Sequence, residues 1–357
     1  MLLFLLVATA GCHKEQIPTD EVPPDKYRQR IKQSPNYAGG RFVNEVATNQ
    51  LEIGSLWSAV TDNVVPGKDQ RPSRPLPVMP VDLADLDSTS GLKAIWLGHS
   101  TVLIQVEGVH ILTDPVFDNS VAHAVGSTPR FQPPPLRRER LPRIDAVLIS
   151  HDHFDHLEQS TVQYLSPTGT IFVAPLGVGG LLRQWDVPDT QIVELDWWES
   201  AILESLEITC TPARHYSGRS LAEVNKTLWA SWVIVGLHHR LFYGGDTGFS
   251  DHFERIGDRF GPFDLSLLPI GAYDEAWPDI HIGPEEAVVA HQALQGKVLL
   301  PVHWGVFDLA AHAWDDPIRR LVRAAASEGV TLVTPRLGEV VSPEQLSSVV
   351  HWWENID

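Results

Sequence analysis

Between His151 and His156 the chain reads His-Asp-His-Phe-Asp-His, three imidazoles and two carboxylates in six residues. Imidazole nitrogens and carboxylate oxygens are the ligand set for Zn²⁺ or a similar divalent ion where no thiolate is at hand. Only Cys12 and Cys210 occur in the 357 residues, which excludes a disulfide-stapled scaffold and a cysteine-built zinc or iron–sulfur site. Cys210 lies in an apolar run and reads as an inert buried thiol. Bunched histidines also occur on solvated turns, so placement decides. The cluster follows the β-rich run 146–149, His215 follows the run 206–211, Asp246 follows 241–245, and His303 follows 298–302. Polar residues delivered by rigid strands to one edge are what a shared metal site requires.

The elements that must do the positioning are short β-rich runs. They recur at 94–97, 102–106, 110–113, 146–149, 171–173, 206–209, 232–235, 241–243, 265–268 and 298–300, and Glu107-Gly108-Val109 reads as a hairpin connection between the second and third. Helical spacing appears over 284–294, with Pro284 in the first turn and Glu285-Glu286 suiting the positive helix end. It returns over 316–326, where Ile318, Leu321, Val322 and Ala325 form one apolar stripe. This pattern predicts an α/β protein of two sheets covered by helices rather than one parallel sheet.

An apolar content of 43% suffices for a core, and 27 Lys and Arg against 45 Asp and Glu give a formal charge of −18. Such a charge argues against nucleic acid as a partner. Residues 2–11 are apolar or small, about half of the ~20 needed to span a bilayer, and they end in Thr9-Ala10-Gly11-Cys12 before a polar stretch. Residues 1–12 resemble a bacterial lipoprotein signal in which Cys12 is lipidated. With His13 after the cysteine, the resemblance implies a lipid-anchored protein of the bacterial cell envelope, on the periplasmic face of the outer membrane. Residues 13–39 then read as a tether and N-terminal extension, 40–345 as the catalytic domain and 346–357 as a C-terminal tail. A Pro-rich stretch over 71–80 is expected to cross the surface before the first sheet.

His-x-His-x-Asp-His after a strand, a distant His215, Gly245-Asp246-Thr247-Gly248 and a final His303 resemble the metallo-β-lactamase superfamily. The resemblance implies a four-layer αββα sandwich holding two divalent metal ions, with Zn²⁺ expected. One ion would take His151, His153 and His215, the other Asp155, His156 and His303, and Asp246 would bridge them. The implied reaction is hydrolysis by a metal-bound hydroxide.

Further motifs narrow the likeness: Trp96-Leu97-Gly98-His99-Ser100-Thr101, Leu112-Thr113-Asp114-Pro115, Pro269-Ile270-Gly271-Ala272-Tyr273 and His281-Ile282-Gly283-Pro284-Glu285-Glu286. Over about residues 40–338 the chain is similar to N-acylphosphatidylethanolamine-hydrolysing phospholipase D and its bacterial relatives. The resemblance implies phosphodiester cleavage of N-acylphosphatidylethanolamine or a related phospholipid, with Asp155 and His281 catalytic. His281 would hold the phosphate or assist the leaving group. His99 and Asp114 are expected to orient metal ligands. Glu275-Ala276-Trp277 departs from the Pro-Arg-Trp of that family. A missing cation leaves open a lactonase or carboxylic ester hydrolase of the same fold; a separate alternative is a catalytically idle metal-binding envelope protein. The expected partners are a phospholipid or other small ester and, through the anchor, the membrane.

Overall fold

Alternating residues of a strand face opposite sides of its sheet, and here both sides are covered. In the computed structural model of this chain, Ala94, Trp96, Val102 and Ile104 join one buried cluster, while Ile95, Leu97 and Leu103 join another. The structure describes residues 5–8, 14–16, 24–49, 69–86, 91–123, 126–346 and 349–356. Cys12 and the processing site expected there lie outside the described residues.

Two large sheets stack face to face. The seven-stranded sheet runs Ile192–Leu195, Ile171–Pro175, Ala146–Leu148, Val109–Thr113, Thr101–Val106, Leu92–Gly98, Val340–Val341. The eight-stranded sheet runs Leu299–Val302, Leu265–Pro269, Arg240–Tyr243, Ser231–Val235, Leu206–Thr211, Glu199–Leu203, with Leu5–Ala8 and Lys14–Gln16 outermost. Helices Gln159–Leu165 and Gly179–Gln184 cover the first sheet through Val162, Leu165 and Leu182. Helices His252–Phe260, Pro284–Ala293 and Asp316–Glu328 cover the second through Ile256, Val288, Ile318 and Leu321. The order helix, sheet, sheet, helix is the expected αββα sandwich. It forms because each sheet has two apolar faces to bury.

Local details refine the expectations. Glu107 and Gly108, with φ of 50° and 84°, alone make the hairpin turn, and Val109 belongs to the strand that follows. The helix from Asp316 runs on to Glu328, where Gly329 at φ 65° supplies the left-handed stop.

Two terminal segments are more ordered than their composition suggested. Within the stretch expected to be a tether, Pro24–Gln33 is a helix docked on the body. Tyr27 OH donates to Asp189 Oδ1 at 3.1 Å, Arg30 Nη1 donates to the Glu194 carbonyl at 2.6 Å, and Arg30 also pairs with Glu199. Acidic partners far along the chain therefore fix this basic helix, which corrects the tether reading from Pro24 onward. In the tail, Trp352 and Trp353 are buried, and the Trp352 ring stacks on Trp304 with centroids 5.5 Å apart.

Candidate metal centre

Every residue singled out at the centre except His281 follows the C-terminal end of a strand. Leu92–Gly98 delivers His99, Val109–Thr113 delivers Asp114, and Ala146–Leu148 delivers the loop from Ser150 to His156. From the other sheet, Leu206–Thr211 delivers His215, Arg240–Tyr243 delivers Asp246 and Leu299–Val302 delivers His303. His281 stands just before the helix Pro284–Ala293. The backbone turns sharply as it leaves these strands, with φ of 54° at His99, 32° at Asp114 and 62° at His303. Non-glycine residues adopt such angles only where the surroundings hold them, a frequent property of functional sites.

The side chains converge in two groups. His151, His153 and His215 form one, and His99, Asp155, His156 and His303 form the other, with the candidate ligand atoms of each group all within 4.8 Å of one another. His151 Nε2 lies 2.8 Å from His153 Nδ1, which lies 3.4 Å from His215 Nε2. Asp155 Oδ2 lies 3.4 Å from His156 Nε2 and 3.6 Å from His303 Nε2. Asp246 Oδ2 stands between the groups, 3.1 Å from both His156 Nε2 and His303 Nε2 and 3.9 Å from His215 Nε2. His281 Nδ1 is 3.8 Å from the same oxygen, and its ring stacks on His303.

Hydrogen bonds on the far nitrogens decide which nitrogen points inward. His156 Nδ1 donates to Asp114 Oδ2 at 2.7 Å, His215 Nδ1 donates to the Ile280 carbonyl at 3.0 Å, and His151 Nδ1 meets Ser150 Oγ at 2.9 Å. Asp114, His151 and His156 also gather closely enough to hold an ion. The Asp114 oxygens, however, are already committed, to Ser150 N–H, Ser150 OH, Tyr243 OH and His156. His99 Nε2 meets Asp155 Oδ2 at 3.0 Å.

The buried atoms left without hydrogen-bond partners among the described residues include His156 Nε2, His303 Nε2 and Asp246 Oδ1. Burial and neighbouring imidazoles push His151 and His215 well down, and burial pushes His99 down to about 3 and His281 to about 4. Against burial, His156 and His303 hold the Asp246 carboxyl well below its usual range, and Asp246 and Asp155 push His303 up to about 9. The buried Asp246 carboxylate and the partly buried Asp155 carboxylate thus demand positive charge where unpartnered ring nitrogens already point. A divalent ion supplies that charge, and neutral imidazole is the form that ligates it. The cluster is able to bind metal.

Several contributors carried no sequence signal. Asn44 Oδ1 accepts the His215 N–H at 3.1 Å, and its Nδ2 donates to the His215 carbonyl at 2.8 Å, across 171 residues of chain. Tyr243, within an apolar strand, reaches Asp114. Asp152, one of the two carboxylates of the cluster, faces away from both groups. It accepts Gly218 N–H at 2.7 Å and Thr227 OH at 2.9 Å. Arg219 Nη1 bridges the carbonyls of Asp152 and Leu157 at 3.0 and 2.8 Å.

Residues 110–304 match the family model described as the beta-lactamase superfamily domain. An uncharacterised protein of Mycobacterium tuberculosis is 46% identical over 330 residues, covering 90% of this chain and 88% of that one. The N-acyl-phosphatidylethanolamine-hydrolyzing phospholipase D 1 of Caenorhabditis elegans is 36% identical over 284 residues, 74% of this chain and 80% of the worm protein. Outer membrane protein RomA of Klebsiella pneumoniae is 43% identical over 102 residues, 29% of this chain and 76% of RomA. Matched stretch and full-length relatives agree: the chain belongs to the β-lactamase superfamily, as one of its metal-dependent hydrolases.

Proposed function

We propose that the protein is a phospholipase D type phosphodiesterase acting on N-acylphosphatidylethanolamine or a related phospholipid. The observation that carries this reading is the position of Asp246 Oδ2, within 4 Å of nitrogens from both histidine groups. A shared carboxylate suits two ions, assigned here as Zn²⁺. His151 Nε2, His153 Nδ1 and His215 Nε2 would hold one ion, and Asp155, His156 and His303 the other. Two such ions supply Lewis acidity, acidify water and steady the oxygens on both sides of a phosphodiester. Asp114 and His99 hold His156 and Asp155 in orientation. His281, with its pKa lowered to about 4 by burial, is neutral at physiological pH. Its imidazole donates a hydrogen bond to a phosphate oxygen or to the leaving group. The likeness to the worm phospholipase supports the substrate class. Lipidation at Cys12 rests on the N-terminal sequence alone; an envelope location rests on the same sequence and agrees with the name of the Klebsiella relative. Among the described residues no helix is long and apolar enough to cross a membrane.

Ala276 favours one second reading, hydrolysis of a lactone or other carboxylic ester, because carbonyl attack needs no cation to hold a phosphate. One experiment separates the two. Protein lacking residues 1–12, with its metal counted, is assayed on N-acylphosphatidylethanolamine, bis(p-nitrophenyl) phosphate and a lactone panel, with Asp246→Asn as control. About two ions per chain, release of phosphatidate and loss of turnover in the variant are expected. Two ions with lactone turnover and no phosphodiester cleavage would overturn the phosphodiesterase reading.

A further inference from the structure

His281 sits in the connection between the strand Leu265–Pro269 and the helix Pro284–Ala293, and residues 270–283 contain no helix or strand of their own. Individual contacts must hold a connection of that length, and such segments are often functional. The His281 ring gives itself little hold. Its Nδ1, though buried, has no hydrogen-bond partner among the described residues. The ring stacks on His303 and meets His215 edge-on, with centroids 5.3 and 5.1 Å apart. Ring contacts tolerate centroid separations from about 4.5 to 7 Å, so they do not fix the 3.8 Å between His281 Nδ1 and Asp246 Oδ2. The backbone on either side must do so.

Ile282 N–H donates to the Thr247 carbonyl at 2.8 Å, and the Ile280 carbonyl accepts from His215 Nδ1 at 3.0 Å. Both ties use only backbone atoms of the connection. Asp279 adds the side-chain tie: its Oδ1 pairs with Arg214 Nη2 at 3.0 Å, and its Oδ2 accepts the Asn49 N–H at 2.7 Å. Arg214 is itself anchored. Its Nε meets Thr48 Oγ1 at 3.2 Å, its Nη1 donates to the Phe249 carbonyl at 3.0 Å, and its Nη2 donates to the Ala47 carbonyl at 2.7 Å. The two side chains expose 17% and 19% of their surface, so salt and water screen this pair less than one on the open surface. Beneath Asp279 there is no slack. A Cβ built on Gly248 would stand 1.7 Å from the Asp279 carbonyl oxygen, so the connection lies directly on the segment that carries Asp246.

We propose that Arg214 and Asp279 are positioning residues for His281: the ion pair holds the connection down on Gly248 and so sets the distance of the imidazole from Asp246. The proposal rests on His281 serving the hydrolytic reaction, as read above, and adds the residues that place it. A displacement of about 1 Å is enough to lower a rate about 100-fold. Asp279 bonds to Arg214 and Asn49 and to none of the candidate ligands, so metal is held without it.

A double-mutant cycle tests it. Wild type, Asp279→Ala, His281→Ala and the double variant are loaded with metal and their metal is counted. Their kcat and KM are then measured on bis(p-nitrophenyl) phosphate and a lactone panel, and the cycle is read on whichever ester the wild type hydrolyses. Asp279→Ala is expected to keep its metal and to lose about 10- to 100-fold in kcat with less change in KM. In the His281→Ala background the same change is expected to lower kcat less than about threefold. Asp279→Asn, which keeps the shape and removes the charge, is expected to fall between. In metal-free protein, hydrogen exchange over residues 280–283 is expected to quicken about tenfold in Asp279→Ala while the strand Leu265–Pro269 is unchanged. Equal losses in both backgrounds, loss of metal, wild-type turnover in His281→Ala, or unchanged turnover and exchange in both Asp279 variants would overturn the proposal. If Asp279→Ala does not fold, Asp279→Asn goes through the same cycle and decides. Lactone turnover without phosphodiester cleavage refutes the phosphodiesterase reading while the cycle still judges the pair. An uncoupled cycle on a cleaved phosphodiester refutes the pair alone, and refusal of every ester refutes both.

Discussion

His156 donates its Nδ1–H to Asp114 Oδ2 at 2.7 Å, and neither residue exposes any of its side chain to solvent. The bond turns His156 Nε2 toward Asp246 and makes the imidazole a stronger donor to metal. Asp114→Asn keeps the volume and removes the charge. It is expected to weaken metal binding about 10- to 100-fold, measured by chelator competition. Unchanged affinity would show that Asp114 serves only the strand connection it closes with Ser150 and Tyr243.

Arg219 acts on the same loop from the other side. Its Nη1 joins the carbonyls of Asp152 and Leu157, and its guanidinium lies 3.8 Å from the centroid of the Phe154 ring. Arg219→Gln is expected to lower stability by about 1–3 kcal/mol and to speed metal loss into chelator. Arg219→Lys should not restore wild-type behaviour, because an ammonium lacks the planar fork that bonds and stacks together. Full rescue by lysine would refute the clasp.

Acid sensitivity is expected from a histidine remote from the centre. His291 is buried, its Nδ1 meets Ser266 Oγ at 2.7 Å, and burial lowers its pKa to about 4. An unfolded histidine titrates near 6.5, so below that pH the unfolded chain binds a proton that the folded chain refuses. The contribution is complete above pH 6.5 and is lost as pH falls toward 4, by roughly 3 kcal/mol in all. Metal-free wild type should therefore lose more stability between pH 7 and pH 5 than metal-free His291→Gln. Equal losses in urea denaturation, or an NMR titration of His291 near 6.5, would contradict this.

Two outer helices touch at a glycine. A Cβ built on Gly257 would stand 2.0 Å from the Ala293 carbonyl oxygen, so His252–Phe260 and Pro284–Ala293 could not keep their spacing. Gly257→Ala is expected to destabilise the fold by about 1–3 kcal/mol with metal stoichiometry unchanged. A thermal midpoint equal to that of wild type would show that the helices part freely.

Local chemistry made much of this protein legible in its sequence. Strands over 101–106 and 109–113, the helix from Pro284 and the stripe from Ile318 to Ala325 announce themselves through alternation, caps and turn residues, which depend on near neighbours. The cluster from His151 to His156 is legible for the same reason, since ligand type and spacing are properties of a few adjacent residues. Residue type alone does not separate Asp152 from Asp155; the family motif singles out Asp155, and the loop's path agrees with it by sending Asp152 to Gly218 and Thr227 and Asp155 to His99.

What the sequence by itself determined was the set of donors and the strands that carry them. Only the tertiary structure decided that Asn44 braces His215, that Tyr243 reaches Asp114, and that Phe131, Asp308 and Trp314 line one cleft beside His303. It also decided that the helix Pro24–Gln33 and Trp352 and Trp353 pack onto the body. These contacts join residues dozens to hundreds of positions apart. Their energy comes from burial and charge pairing that exist only once the sheets have stacked, so no local pattern records them.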